Sequence, residues 1–251
     1  MPPHATNTRL FFLISNIDGS NLVSGYWDNS NSTFTYSGQL KSLMVSGSTV
    51  PNYIPMAVST DSDPPSAVYL AIKGYGLWKS GNGLSWSQTS APSNAGWQAI
   101  TCSTSGSLVV AVAISPAPGL YISKNGGSTW AQQFSDDIAW QSVSCSADGA
   151  TIWATVVLPD NSSIFYNSHD AGTTWSLSST TDARAGILSV ASGVASQPFF
   201  LQAGATSQIV YQLLGYTGEW PYDFNMIGPT GIAGDTGYTG YTGYTGDTGP
   251  T

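Results

Sequence analysis

Short runs of apolar and β-branched residues alternate along the chain with clusters of Gly, Pro, Asn, Ser and Asp. In the clearest stretch, between Trp140 and Ser178, the runs are WQSVSC, ATIWATVV, SIFYNS and TTWSLS. Runs of this length and composition, bounded by turn residues, predict β-strands rather than helices. We therefore expect an all-β chain in which four strands, named A, B, C and D in chain order, form one repeating unit.

The unit recurs at a nearly constant spacing. GLWKSGNGLSW ends at Trp86, GLYISKNGGSTW at Trp130 and IFYNSHDAGTTW at Trp175, so the intervals are 44 and 45 residues. Degenerate copies end at Phe34 and Trp220. Four antiparallel strands in a period of about 45 residues are typical of a propeller blade. The sequence therefore predicts a five-bladed β-propeller of four-stranded antiparallel blades.

The segment between runs C and D carries a shared pattern, Ser-x-Asp/Asn-x-Gly-x-Thr-Trp, in two copies. The Asn or Asp would accept backbone hydrogen bonds, the Gly would take a positive φ, and the Trp would fill space against the neighbouring sheet. We assign these positions a structural role. They are Ser123, Asn125, Gly127, Thr129 and Trp130 in one copy, and Ser168, Asp170, Gly172, Thr174 and Trp175 in the other.

Two further segments match the pattern less well. SGNGLSW is one residue shorter, and counting back from Trp86 places Gly81 where the acid should stand. SADGATIW, from Ser146 to Trp153, falls between runs A and B and is therefore out of phase. We interpret this last match as a decoy.

The pattern resembles the Asp-box, or BNR, repeat of sialidases, sortilin-type receptors, a photosystem assembly factor and some xyloglucan hydrolases. The resemblance covers residues from about 8 to 227 and implies a propeller whose boxes lie on the face opposite the active site. Sialidases use three arginines, a tyrosine nucleophile and a glutamate. This chain contains only Arg9, Arg184 and Glu219, so sialidase chemistry is not expected.

In propellers the functional face is built by the B-to-C and D-to-A connections. Two aspartates on facing loops, roughly 5 to 9.5 Å apart, would suit a glycosidase, whereas the same acids in separate loops would only face water. We predict no catalytic residue and no metal or cofactor. The predicted ligand-binding residues are Tyr75, Asp136, Asp137, Asp160, Asn161, Asp182 and Arg184.

Two other residue sets recur with the unit. Aromatic residues occupy one position of run C, and we expect them to pack between blades rather than to stack on sugar rings. The run C aromatics are Trp27, Trp78, Tyr121, Tyr166 and Tyr211. Cys102 and Cys145 occupy equivalent positions in successive units, where we expect buried free thiols.

The number and distribution of charged residues argue against a nucleic-acid partner. Charged residues make up 8% of the chain, the net charge is −8, and the six basic residues are scattered, so no nucleic-acid partner is expected. The apolar run from Leu10 to Ile14 is too short for a signal peptide core or a bilayer span. We expect no membrane insertion and see no conventional export signal.

After Ile227 the period changes to three, with glycine at every third position from Gly228 to Gly249. Only glycine fits at the axis of a collagen triple helix, so residues 228–251 predict a collagen-like stalk after a propeller head of residues 1–227. A disordered linker is the alternative, because Pro229 and Pro250 are the tract's only prolines. Its composition resembles collagen-like tracts of large DNA virus and bacterial surface proteins.

These observations favour a non-enzymatic surface or virion fibre protein, homotrimeric through its tail, whose head binds a glycan or a host or partner protein. A glycoside hydrolase using two loop aspartates and an assembly scaffold with one protein partner are the alternatives. The chain begins in run B of its first unit. We therefore expect YDFNMI, residues 222–227, to supply the missing innermost strand and close the ring.

Overall fold

The computed structural model describes residues 9–15, 22–28, 31–37, 54–61, 65–135, 138–159, 163–179, 187–192, 198–203, 208–212 and 223–225. These segments contain nineteen β-strands, which lie in five antiparallel sheets. In every sheet, strands that follow one another along the chain are hydrogen-bonded neighbours. The all-β class and the four-stranded antiparallel sheets are confirmed.

The strands divide among the sheets in chain order. The first sheet contains β1 (Arg9–Ser15), β2 (Leu22–Asp28) and β3 (Thr33–Ser37). The second contains β4 (Met56–Val58), β5 (Val68–Ile72), β6 (Gly76–Ser80) and β7 (Ser87–Gln88). The third contains β8 (Gly96–Cys102), β9 (Val109–Ile114), β10 (Gly119–Ser123) and β11 (Ala131–Phe134). The fourth contains β12 (Ala139–Cys145), β13 (Ile152–Val157), β14 (Ser163–Ser168) and β15 (Ser176–Ser179). The fifth contains β16 (Ile187–Ser192), β17 (Pro198–Ala203), β18 (Gln208–Gln212) and β19 (Asp223–Asn225).

Within the described residues, the first sheet contains three strands and no counterpart of the innermost strand of the other four. Trp27 lies on β2 at the position that Trp78 holds on β6, so β1, β2 and β3 are runs B, C and D. The strand β19 does not fill this place, because it pairs with β18 through Tyr211 and Asp223 as the outer strand of the fifth sheet. The expectation that residues 222–227 complete the first sheet is wrong. The loop between β18 and β19 is much shorter than the one that pairing of β19 with the first sheet would close, so its closure costs less conformational entropy.

Burial is greatest in the middle strands of the second and third sheets and least in their last strands. Every residue of β5 and β10 is buried, and β9 and β13 are buried except at their last residue. The residues of β7 are exposed, as are most of those of β11. Strands covered on both faces by neighbouring sheets need continuous apolar runs, which explains VYLAI and VVAVA, whereas an outer strand tolerates polar residues.

Two hydrophobic cores lie between the second and third sheets and between the third and fourth sheets. Trp97 and Tyr121 pack edge to face at 5.3 Å between the second and third sheets. Trp140 and Tyr166 pack at 5.4 Å between the third and fourth. The aromatic position of run C therefore serves packing between sheets at Tyr121 and Tyr166, as the sequence predicts.

A β-bulge near the start of the innermost strands sets which residues enter which core. The register shifts between Trp97 and Ala99 in β8, and between Trp140 and Ser142 in β12. As a result Trp97 and Ile100 face the core toward the second sheet, while Ala99 faces the core toward the fourth. An extra residue in one strand of a pair produces this change of side.

Candidate recognition face and the turns opposite it

The antiparallel order of each sheet places its connections at two opposite ends. The A–B and C–D turns share one end, here called the C–D face. In the third sheet the backbone nitrogen of Gly126 donates to the carbonyl of Ser107 at 2.8 Å, and in the fourth Ala171 donates to Ala150 at 2.8 Å. The B–C turns and the ends of the D–A connections share the other end, here called the B–C face.

The C–D turn of the third sheet, residues 123–130, is held by its own side chains. The hydroxyl of Ser123 accepts the backbone N–H of Gly127 at 2.8 Å and donates to Oδ1 of Asn125 at 3.0 Å. That Oδ1 also accepts the N–H of Thr129 at 2.8 Å. Gly127 has a φ of 86°, and its carbonyl accepts the indole N–H of Trp130 at 3.1 Å. The side chains of Ser123, Asn125 and Trp130 therefore close the turn through hydrogen bonds within it.

The C–D turn of the fourth sheet, residues 168–175, repeats this geometry with a carboxylate. Oδ1 of Asp170 accepts from the hydroxyl of Ser168 at 2.8 Å and from the backbone of Thr174 at 2.8 Å, and Oδ2 accepts the Thr174 hydroxyl at 2.6 Å. The Thr174 hydroxyl and N–H, followed by the Ser168 hydroxyl, hold the pKa of Asp170 well below its usual range. A carboxylate held ionised in this way is a poor proton acceptor near neutral pH.

The shortened turn of the second sheet keeps the same polar contacts. Oδ1 of Asn82 accepts the backbone N–H groups of Leu84 and Ser85, both at 2.9 Å, and Ser80 accepts the N–H of Gly83 at 2.8 Å. Asn82 therefore stands in the place of the acid, and the assignment of that place to Gly81 is wrong. This turn is one residue shorter than the pattern, and the missing position lies between Asn82 and Trp86. Positions in the pattern must therefore be counted forward from Ser80 rather than back from Trp86.

The A–B turns carry a repeat of their own. The buried hydroxyls of Ser59, Ser103 and Ser146 each accept a backbone N–H across the turn, at 2.9, 3.2 and 3.0 Å. In the fourth sheet Asp148 accepts the N–H of Ala150 at 2.9 Å, and the Ser146 hydroxyl and this N–H lower the pKa of Asp148. SADGATIW thus lies between runs A and B, as expected, but it forms a recurring turn rather than a chance match.

Two lysines tie neighbouring sheets together on the C–D face. Nζ of Lys79 in the second sheet donates to the carbonyl of Gly126 at 3.0 Å and lies 5.7 Å from the ring centre of Tyr69. Nζ of Lys124 donates to the hydroxyl of Thr173 in the fourth sheet at 3.2 Å. These contacts were not predicted from the sequence, although a lysine stands at the C–D turn of each of the second and third sheets in a chain with few charged residues.

The B–C face presents a different set of side chains. Lys73, Ser93, Asn94 and Ser115 are exposed there. The B–C turn is fixed to the D–A connection because Gly74 donates its N–H to the carbonyl of Ala95 at 2.9 Å. The described part of this face therefore offers one cation together with hydroxyl and amide groups.

Tyr75 is the one predicted ligand-binding residue that the structure describes. Its carbonyl accepts the indole N–H of Trp78 at 3.0 Å and the amide of Gln88 at 3.1 Å, and its half-buried side chain packs against the cluster around Leu70 and Ile72. Much of the Tyr75 ring is thus used in packing. The other six predicted residues lie outside the described part of the chain: Asp136, Asp137, Asp160, Asn161, Asp182 and Arg184.

The aspartates whose side chains are described lie at the C–D end of their sheets. They are Asp28, Asp61, Asp148 and Asp170. Among the described residues, the B–C turn at 73–75, the turn at 115–118 and the connection at 89–95 contain no carboxylate. The described residues contain no group of three His, Cys, Asp or Glu side chains placed to hold a metal ion. No helix in that part of the chain has the length and apolarity to span a bilayer.

Comparison with known proteins identifies the fold. No protein-family model and no curated protein sequence matches the chain. Among solved structures, the GH74 enzyme of Niastella koreensis superposes with a TM-score of 0.62 at 18% identity, over 82% of this chain and 35% of the other. The GH74 xyloglucanase of Xanthomonas campestris gives 0.61 at 12%, over 87% and 37%. The β-propeller domain of Myceliophteria thermophila Cps50 (Swd1) gives 0.52 at 10%, over 83% and 69%.

The fold is a β-propeller. At these identities the likeness shows the fold alone, and the chain spans about a third of the GH74 chains that it resembles. The described sheets are therefore blades, numbered here as the sheets are, and β4, β8, β12 and β16 are the innermost strands of the four-stranded ones. In a propeller the two faces are formed by different sets of loops, so the C–D face and the B–C face are chemically independent surfaces.

Proposed function

We propose that the chain is a non-enzymatic binding protein whose five-bladed, Asp-box-type propeller head recognises its ligand through the B–C face. The observation that supports the proposal is that the aspartates with described side chains all lie at the opposite, C–D face. Asp148 and Asp170 are committed to turn hydrogen bonds on the C–D face, whereas Lys73, Ser93 and Asn94 are exposed on the other. Such a surface suits recognition better than proton transfer.

We propose a glycan as the ligand, with a host or partner protein as the other possibility. Sugar hydroxyls both donate and accept hydrogen bonds, and an amide, hydroxyls and one ammonium complement them without demanding a charged partner. The net charge of −8 opposes binding to a polyanion. The similarity of the fold to a xyloglucanase supports a polysaccharide as the first class of ligand to test.

A glycoside hydrolase is the second candidate, and the likeness to two GH74 enzymes is what favours it. It would require two carboxylates facing each other on the B–C face. The aspartates that would have to supply them, Asp136, Asp137, Asp160 and Asp182, lie outside the described residues. Release of reducing ends from xyloglucan by the full chain would favour this candidate, and loss of that activity in D136N/D137N or D182N would assign it.

We further propose that residues 228–251 form a collagen-like stalk that assembles three heads on a virion or cell surface. Three weak sites on one stalk bind a multivalent target far more tightly than one site does. Light scattering on the full chain and on residues 1–227 tests this directly. A trimer that becomes a monomer on removal of the tail is expected, and a monomer in both cases would overturn the proposal.

The binding test uses two lysines that lie on opposite faces. K73A removes the described cation of the B–C face, and K124A removes an exposed cation from the C–D face, so both change the net charge equally. The full chain is screened on a glycan array, and each variant is then titrated with the best glycan. We expect K73A and N94A to weaken binding at least several-fold and K124A to leave it unchanged.

Three outcomes would count against this assignment. If K124A weakened binding as much as K73A, recognition would lie elsewhere or depend only on net charge. If no glycan bound and one protein were captured through the B–C face, the assembly-scaffold alternative would replace glycan recognition. If neither ligand class bound the full chain, the proposed function itself would fall.

A further inference from the structure

The hairpin between β2 and β3 presents an Asn-Ser-Thr triplet at its tip, Asn31-Ser32-Thr33. Asn-x-Ser/Thr is the acceptor pattern for N-linked glycosylation and is used where it lies on an accessible surface. In a chain so rich in Asn, Ser and Thr the triplet alone says little. Its conformation provides the further information.

The triplet is exposed and folded back on itself. Asn31, Ser32 and Thr33 are all exposed. Ser32 has a φ of 56°, the left-handed conformation, and Thr33 is the first residue of β3, paired with Asp28 of β2. The two ends of the triplet are thereby brought together at the tip of the hairpin.

The side chains of the triplet meet in a specific way. The hydroxyl of Thr33 donates a hydrogen bond of 2.5 Å to Oδ1 of Asn31. This bond engages the carboxamide oxygen of the exposed Asn31 rather than Nδ2, the nitrogen that receives the sugar. Because all of these contacts lie within three successive residues, they do not depend on the packing of the blades.

The chain's second triplet of this kind is placed differently. Asn161-Ser162-Ser163 ends in Ser163, the first residue of β14, whose side chain is 3% exposed and which pairs with Val157. Because Ser163 is buried at the start of β14, its hydroxyl is withdrawn from an enzyme acting on the folded chain. Exposure of the third residue therefore distinguishes Asn31 from Asn161.

We infer that Asn31 is an N-glycan acceptor site of this protein, and that the donor is an oligosaccharide carried on a lipid pyrophosphate. In the transfer, Nδ2 of Asn31 attacks the anomeric carbon, the bond from that carbon to the pyrophosphate oxygen breaks, and the lipid pyrophosphate leaves. The proton lost from Nδ2 passes to a base of the transferase. The hairpin is the C–D turn of the first blade, so the glycan projects from the C–D face and leaves the B–C face uncovered.

The test expresses the full chain behind a secretion signal in eukaryotic cells, with a known acceptor triplet in the added tag as an internal control. Intact mass and peptide mapping after amidase release of N-glycans locate each occupied asparagine. We expect occupancy at Asn31 and its loss in N31Q and in T33V, which keeps a β-branched residue in the strand. Occupancy should persist in T33S, which restores the hydroxyl, and in N161Q.

The internal control makes a negative result decisive. If the tag is glycosylated and Asn31 is not, the assignment is wrong. It is also wrong if the only occupied asparagine of the chain is Asn161, or if the glycan of the head persists in N31Q. Thermal melting of N31Q and T33V should match that of the enzymatically deglycosylated parent, which separates loss of the site from loss of the fold.

Discussion

The indole nitrogen of Trp86 donates a hydrogen bond of 3.0 Å to the hydroxyl of Ser24, and this bond joins the second blade to the first. The corresponding Trp130 and Trp175 instead bond to glycine carbonyls within their own turns. In the second blade, where the C–D turn is one residue shorter, the indole of Trp86 therefore bonds to the neighbouring blade instead of to its own turn. Ser24 is 2% exposed and Trp86 is half-buried, so the bond is partly shielded from water.

Replacing Ser24 by alanine should destabilise the propeller measurably. The indole N–H of Trp86 would lose its acceptor in a partly buried site, which typically costs about 1–3 kcal/mol. Urea denaturation should show a lower midpoint with an unchanged slope. S85A, which alters an exposed hydroxyl of the same turn, is the matched control and should unfold like the parent.

A double-mutant cycle isolates the bond between the two residues. W86F removes the donor but keeps an aromatic ring, so S24A should cost much less in the W86F background than in the parent. Equal costs of S24A in the two backgrounds would mean that the hydroxyl stabilises the fold by some other contact.

Much of the architecture follows from the spacing of a few residues. Trp130 and Trp175 recur with the repeat because each closes a C–D turn and packs against the core toward the preceding blade. This local, repeated geometry is visible in the sequence. The strand runs are visible for the same reason, since each needs continuous apolar residues to be buried between two sheets.

Other features depend on contacts that no local pattern encodes. The role of Asn82 was hidden because one residue is missing from its turn, and counting from the wrong end gives Gly81. The bulge after Trp97 changes which core receives Ala99 without altering the composition of β8. The pairing of β19 was missed because DFN has the same strand character whether it lies outermost or innermost. The candidate ligand residues other than Tyr75 lie outside the described residues, so they stay predictions.

Two glycines of nearly equal φ should respond differently to substitution by alanine. Gly172 has a φ of 78° and Gly74 a φ of 76°, so alanine is strained at both by about 1–2 kcal/mol. A Cβ at Gly172 would also lie 2.1 Å from Cδ1 of the buried Ile122, whereas a Cβ at Gly74 meets nothing within 4 Å. G172A should therefore lose about 1–3 kcal/mol more than G74A.

Chemical denaturation of the two glycine variants under identical conditions measures this difference. Similar losses in G172A and G74A would show that Ile122 moves aside at little cost, and that backbone strain alone determines the effect. A larger loss in G74A would contradict the assigned packing of the C–D turn.

Acid should weaken the C–D turn of the fourth blade through Asp170. The pKa of Asp170 is lower in the folded protein than in the unfolded chain, so its stabilisation is present above the unfolded value of about 3.9. That stabilisation is lost as the pH falls through the folded pKa, where the folded carboxylate also becomes protonated. D170N should therefore be less stable than the parent at neutral pH, and the difference should shrink below about pH 4.

Asn125 provides the reciprocal test of the same contact. Nδ2 of Asn125 donates to the hydroxyl of Thr129 at 2.8 Å, whereas Oδ2 of Asp170 accepts from Thr174. In N125D the Thr129 hydroxyl must turn to donate, and stability should gain the same kind of dependence on acid pH. Parallel stability curves from pH 2 to pH 7, in the parent, D170N and N125D, would contradict this account of the turn.

The two cysteines should be unreactive in the folded protein and should not bond to each other. Burial raises the pKa of Cys102 to about 12 and that of Cys145 to about 11, so both thiols are protonated near neutral pH. Cys102, in the third blade, packs toward the second blade, and Cys145, in the fourth blade, packs toward the third, so the side chains enter different cores. At pH 8 iodoacetamide should leave the native protein unmodified and should modify both cysteines in urea, as intact mass would show. Fast labelling without denaturant, or a native mass lower by two hydrogens after mild oxidation, would show that the thiols are exposed or adjacent.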